Sequence, residues 1–141
     1  MNSEVETVHG SCVAHHGRAV LILGASGRGK SALALQLMAL GAGLVADDRV
    51  ILTRDGDAVI ASAPAAISGR IEARFVGLLN AIPAAPAPLA LVVDLDADET
   101  ERLPPQRSRK VLGISLPLVH NVASRHFAAA ILQYLKAGRS D

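Results

Sequence analysis

The sequence predicts an α/β fold in one domain spanning residues 1–141, and three observations predict it. An apolar run, Ala19-Val-Leu-Ile-Leu23, passes directly into a glycine-rich stretch that ends at Ser31. A run rich in Ala and Leu follows over Ser31–Leu40 and closes on Gly41. Further apolar runs, Gly43–Ala46 and Leu89–Leu95, each lead into acidic residues. Continuous apolar runs of this length are the pattern of strands buried on both faces, and the intervening Ala/Leu run is the pattern of a helix.

The elements are justified in order. Val8–Val13 and Ala19–Leu23 read as a hairpin, with His15, His16 and Gly17 at its turn. Ser31–Leu40 is a helix, because its residues are strong helix formers and Gly41 stands where a C-cap glycine belongs. Gly43–Ala46 is a buried strand ending at Asp47-Asp48, and Arg49–Arg54 pairs with Ala58–Ala61 across an Asp55-Gly56 turn. Ile67–Asn80 has no clean period and reads as a loop with a short helical or extended piece. Ala81–Pro88, proline-rich and uncharged, reads as a surface connection. Leu89–Leu95 is a buried strand ending at Asp94 and Asp96, and Asp98–Pro105 is a polar loop. Val111–Leu118 is a last strand interrupted by Gly113 and Pro117. Val122–Lys136 is an amphipathic helix with Phe127, Ile131 and Leu135 on one face.

Composition narrows the function. Half of the 141 residues are hydrophobic while aromatics make up 2%, so the core is aliphatic and stacking platforms for single-stranded nucleic acid are scarce. Net charge is +1 with both signs interspersed, which gives no nucleic-acid footprint. The one basic cluster, Arg102, Arg107, Arg109 and Lys110, reads as a solvated loop. Cys12 is the single cysteine, expected to be a small core residue, and it excludes an intrachain disulfide and a thiolate metal cluster. Met1–Glu6 carries two acids and no basic run, so no secretory leader is expected. Runs such as Ala87–Val93 are far short of a membrane span. A cytoplasmic protein without membrane insertion is the expectation.

The stretch Gly24-Ala25-Ser26-Gly27-Arg28-Gly29-Lys30-Ser31 fits G-x-x-x-x-G-K-[ST] at every defined position, between a strand and a helix. Glycines let such a loop curl until its amides point inward around an anion, and the helix start adds the positive end of its dipole. Lys30 supplies a mobile charge for the β- and γ-phosphates, and the Ser31 hydroxyl is a natural Mg²⁺ ligand. This P-loop implies binding of a nucleoside triphosphate with Mg²⁺. It does not choose among ATPase, GTPase, transport motor and kinase. Asp47 and Asp48 stand at a strand end, where an open α/β sheet places its ligand crevice. Adjacent carboxylates there can divide the work, one receiving a proton and the other serving the metal's surroundings.

Five segments in order resemble the HPr kinase/phosphorylases, whose ATP-binding domain has a P-loop fold related to phosphoenolpyruvate carboxykinase. They are His9-Gly10, the loop Gly24–Ser31, Leu44-Val-Ala-Asp-Asp48, Ile71-Glu-Ala-Arg74 with Gly77-Leu-Leu-Asn80, and Glu101-Arg102-Leu103. The resemblance spans about residues 8–137, without the family's usual N-terminal domain, as in a short catalytic form. It implies Asp48 as the base for phosphorylation and His9 as its support. It also implies Glu72 as a Mg²⁺ ligand beside Ser31, with Asp47 in the metal's surroundings, and Arg102 as a balance for charge on the transferred group. The implied cofactors are ATP and Mg²⁺, the implied partner is HPr or a nitrogen-branch relative phosphorylated on serine, and the implied assembly is a homo-oligomer.

The sequence departs from the family at several places. Arg74 is followed by Phe75-Val76-Gly77 where the family has Gly-Leu-Gly, and Ala32 replaces a usual Glu. Leu116-Pro-Leu-Val-His-Asn121 lacks the arginines and glycine of the family's Pro-x-Arg-Pro-Gly-Arg-Asn, a motif tied to dephosphorylation. The stretch between Asn80 and Leu89 is shortened. These losses favour kinase over phosphorylase activity. Two other readings stay open: a small-molecule P-loop kinase, and a non-catalytic nucleotide sensor.

Overall fold

A computed structural model describes residues 4–141, so the reading of Met1–Glu6 falls partly outside the described residues. In chain order the elements are β1 (Val5–His9), β2 (Ser11–His15), β3 (Arg18–Leu23), α1 (Lys30–Ala39), β4 (Gly43–Ala46), β5 (Arg49–Asp55) and β6 (Ala58–Ser62). A short 3-10 turn (Ala65–Ile67) leads to β7 (Arg70–Ala73), β8 (Gly77–Asn80), β9 (Ala87–Asp98), β10 (Arg107–Val111), β11 (Ile114–Asn121) and α2 (Phe127–Ala137).

The main sheet runs β1-β5-β6-β9-β3-β2-β4, with β11 also on β9 and β10 on β11. Its centre is parallel, since β3 and β11 both run parallel to β9, while the remaining pairings are antiparallel. The fold is therefore mixed α/β, as expected, but made mostly of strands. β7 and β8 form a separate two-stranded sheet.

β3 explains why the core has two halves. Its alternation sends Val20 and Ile22 into a cluster with Leu33, Ala34 and Leu37 of α1 and Phe127, Ile131 and Leu135 of α2. Ala19 and Leu21 enter a second cluster with Val50, Leu52, Val59 and Ala61 of the β5–β6 hairpin. Helices thus cover one face of β3 and a hairpin the other. β9 follows the same division through a bulge: Ala19 pairs with Leu89 but Val20 with Leu91, which leaves Ala90 extra. That residue flips the alternation, so Leu89 faces the second cluster and Leu91 the first.

Five expectations are corrected. The run Val8–Val13 is two strands, because the chain leaves β5 at His9 and joins β3 at Ser11. Gly10 marks the crossing, where a Cβ would stand 2.8 Å from the Ile22 carbonyl oxygen. Residues 67–80 contain a hairpin, whose apolar tip Phe75-Val76 faces outward and so broke the pattern. Gly113 does not interrupt a strand; with Leu112 it makes the β10–β11 turn, both at positive φ. The basic residues Arg107, Arg109 and Lys110 consequently lie on strand β10, not in a loop, and Arg107 is paired with Glu99. The last helix starts at Phe127, later than Val122.

Candidate active site

The glycine loop joins β3 to α1. Gly24 and Gly29 adopt φ +156° and +97°, and a Cβ on Gly24 would stand 3.1 Å from the Leu95 Cβ. Gly29 is the N-cap of α1 and contributes no side-chain hydrogen bond, and the first turn holds no acid. The leading amides of α1 therefore meet no side-chain anion of their own turn. Lys30 is buried over the loop, its Nζ donating to the carbonyls of Gly24 (2.7 Å) and Ala25 (3.2 Å).

Arg28 is held by the neighbouring strand β9. Its Nη2 and Nε donate to the Leu95 carbonyl at 2.6 and 3.1 Å, and it lies 3.6 Å from Asp96 and 3.7 Å from Asp98. The Ala25 N–H donates to the Asp96 carboxylate at 3.0 Å. These contacts turn the Arg28 side chain toward β9 and tie the loop to that strand. Asp96 was not among the sequence candidates; its signal was a strand-end acid on a run parallel to the loop strand.

Asp47 and Asp48 sit at the corner between β4 and β5, and backbone geometry separates them. Asp48 takes φ +72°, a left-handed conformation that Asp tolerates better than most side chains. Asp47 points inward and is buried, while Asp48 is exposed. Asp47 Oδ1 accepts hydrogen bonds from Ser11 Oγ and Ser31 Oγ, each at 2.7 Å, and its Oδ2 accepts the Glu72 N–H at 3.0 Å. One buried carboxylate thereby ties β2, the loop helix and β7 together, and every donor it needs is present. Ser31 donates its proton to Asp47, which leaves the Oγ lone pairs for a cation. Ser11 was missed from sequence. A hydroxyl beside an apolar run gives no signal until the fold shows it buried against a carboxylate.

Asp48 faces His9 from the end of β1, with Nε2 and Oδ1 3.2 Å apart. The Gly10 N–H donates to the Asp48 carbonyl at 3.1 Å, so the backbone fixes the same approach. Arg49 Nε lies 4.0 Å from the second Asp48 oxygen. Asp47 thereby gathers Ser31 and the Glu72 backbone, the His9–Asp48 pair stands one residue further on, and Lys30 is next in chain to Ser31. Arg102 stands apart: it is exposed in the loop 99–106, and among the described residues no hydrogen bond joins it to this group. That loop is pinned by Arg107 on Glu99, which holds the Glu99 carboxyl down at about 2, and by Arg139 Nη2 on the Pro104 carbonyl at 2.8 Å.

The family profile described as the HPr serine kinase C-terminal domain matches residues 2–85. The chain belongs to this family. Among curated relatives of this HPr kinase-family chain, the HPr kinase/phosphorylase of Geobacillus thermodenitrificans is 41% identical across 78% of the chain and 40% of that protein. The HPr kinase/phosphorylase of Bordetella pertussis is 48% identical across 52% of the chain and 24% of that protein. The family chain thus spans less than half the length of these relatives. The solved HPr(Ser) kinase/phosphatase of Coxiella burnetii superposes with a TM-score of 0.76, covering 93% of this chain and 88% of that one at 23% identity, which establishes a shared fold.

Proposed function

We propose that this chain is an ATP-dependent serine kinase acting on HPr or a related phosphocarrier protein, as a single catalytic unit in the cytoplasm. The observation that carries this reading is Asp47, which bonds Ser31 of the glycine loop at 2.7 Å while its neighbour Asp48 opens to the surface. A phosphate loop and a candidate base are thereby joined through one buried carboxylate. Among the described residues no helix is long and apolar enough to cross a membrane.

In this reading the loop amides and Lys30 hold the triphosphate, and Lys30 exchanges its bonds to the Gly24 and Ala25 carbonyls for phosphate oxygens. The serine oxygen of the acceptor forms a bond to the γ-phosphorus as the bond from that phosphorus to the bridging oxygen breaks, ADP leaves, and the serine proton passes to Asp48. His9 orients the Asp48 carboxylate for that transfer. Arg102 would answer charge on the transferred group. Ser31 and Glu72, as hard oxygen donors, would hold Mg²⁺. Bound there, Mg²⁺ supplies neutralisation of phosphate charge. Loss of the family's dephosphorylation motif at Leu116–Asn121 supports kinase over phosphorylase activity.

Labelled ATP incubated with the chain and HPr tests the reading. Label on HPr that disappears in Asp48→Asn, with ATP binding intact, is the expected outcome. Label on a metabolite instead would assign a small-molecule kinase, and ATP binding without turnover a sensor.

A further inference from the structure

Beyond Glu72, the β7–β8 hairpin carries a surface that the proposed chemistry does not use. From Glu72 to Leu78 it curls around an open concavity of about 570 Å³. Glu72 forms part of the wall, and Phe75, Val76 and Leu78 supply its apolar portion. Phe75 is fully exposed at 101%, and Ile82, just beyond the hairpin, is exposed at 91%. Phe75 also holds φ +69°, a strained conformation for a bulky residue. The fold gains nothing from either feature, because Ile71 and Ala73 bury the hairpin and Leu79 packs on the main core. A strained, exposed aromatic that the fold does not need points to an external contact.

We propose that this face docks the protein that presents the acceptor serine, by engaging an apolar ridge bordered by carboxylates on that protein. The proposal rests on the kinase reading. Continuity with the site favours that occupant, since Glu72 lines the concavity while its N–H holds Asp47 beside Asp48. Asp48 and His9 are themselves exposed, so the hydroxyl of a partner protein reaches them from the surface. Charge gives the ridge its border: Arg70 and Arg74 are exposed and, among the described residues, enter no ion pair. A second copy is the alternative occupant, and sedimentation distinguishes it.

The test uses the full chain with HPr and compares wild type with Phe75→Gly and Arg70→Glu. Glycine accepts φ +69° freely, so the first variant removes the ring without threatening the fold. HPr affinity by titration, initial rates against HPr concentration, ATP affinity and sedimentation are measured. The expected result is a Kd and KM for HPr raised at least about tenfold in each variant, with ATP affinity unchanged; a central interface anchor has an effect of this order. Wild-type phosphorylation of HPr with both constants unchanged in Phe75→Gly would overturn the docking surface and leave the kinase reading standing. Loss of self-association with HPr affinity unchanged would assign the face to a second copy and overturn it too. ATP binding without any binding or phosphorylation of HPr would overturn the kinase reading, and the docking surface with it.

Discussion

The Arg28 guanidinium clamps the Leu95 carbonyl, with Nη2 at 2.6 Å and Nε at 3.1 Å. One residue further along β9, Asp96 takes the Ala25 N–H. The glycine loop is therefore stapled to its neighbouring strand at two points. A preformed loop spares nucleotide binding the cost of ordering it. Arg28→Ala should weaken ATP binding about tenfold, the lower end for hydrogen bonds to a charged group that is partly exposed. Isothermal titration of both proteins with ATP gives the number; equal affinities would refute the staple. The thermal midpoint should barely move, since the arginine lies outside both core clusters.

Asp47 joins three elements from inside the protein, and its removal should show in stability. Asp47→Ala leaves Ser11 Oγ, Ser31 Oγ and the Glu72 N–H without their acceptor. Each orphaned buried donor costs about 1–3 kcal/mol, though Ser31 and Glu72 lie near enough to water to recover part of theirs. A loss of about 2–4 kcal/mol in urea unfolding is expected. Asp47→Asn keeps one carbonyl oxygen as acceptor and should lose less. A variant as stable as wild type would show that the donors find other partners.

Much of this arrangement was legible in the sequence, for identifiable reasons. The two-faced strand β3, the loop and α1 announce themselves because burial on both faces leaves an unbroken apolar run. The Asp55-Gly56 turn carries the residues its geometry demands. Legibility fails where backbone conformation and residue type disagree. Phe75 and Leu112 hold positive φ without being glycine, so neither of their turns carries the usual signature. Arg28 is legible as a member of the loop, whereas the carbonyl that holds its side chain, at Leu95, 67 residues away, is not. Ser11 was invisible for the same reason, since the carboxylate it serves lies 36 residues on, at the β4–β5 corner.

Cys12 lies on β2 inside the second core cluster, fully buried, and burial pushes its thiol far above the ordinary range. The thiolate is the reactive form, so alkylation of the folded protein should be very slow. With iodoacetamide at pH 8, the expected label appears only after urea is added. Rapid labelling of the native protein at an unchanged rate across urea concentrations below the transition would mean that β2 opens locally. That result would also weaken the Asp47 assembly, because Ser11 is the next residue on the same strand.

The last prediction concerns pH. Arg107 donates to both Glu99 oxygens, at 3.1 and 2.9 Å, and the N–H groups of Thr100 and Glu101 add to one of them. The Arg107 contact is the largest influence and draws the Glu99 carboxyl from 4.5 to about 2, against the opposing effect of burial. A carboxyl depressed in the folded state stabilises that state above its unfolded value and ceases to do so as pH falls through the folded one. Wild type should therefore be more stable than Glu99→Gln above pH 4.5, and the gap should close between pH 4.5 and about 2. Comparing the two proteins cancels the titration of the other acids. Urea midpoints at pH 6, 4 and 3 measure the gap; a constant difference would show that the Arg107 contact is not what binds the loop. Because Glu99 opens the loop that carries Arg102, the same acid range should raise hydrogen exchange over residues 99–106 before the sheet unfolds.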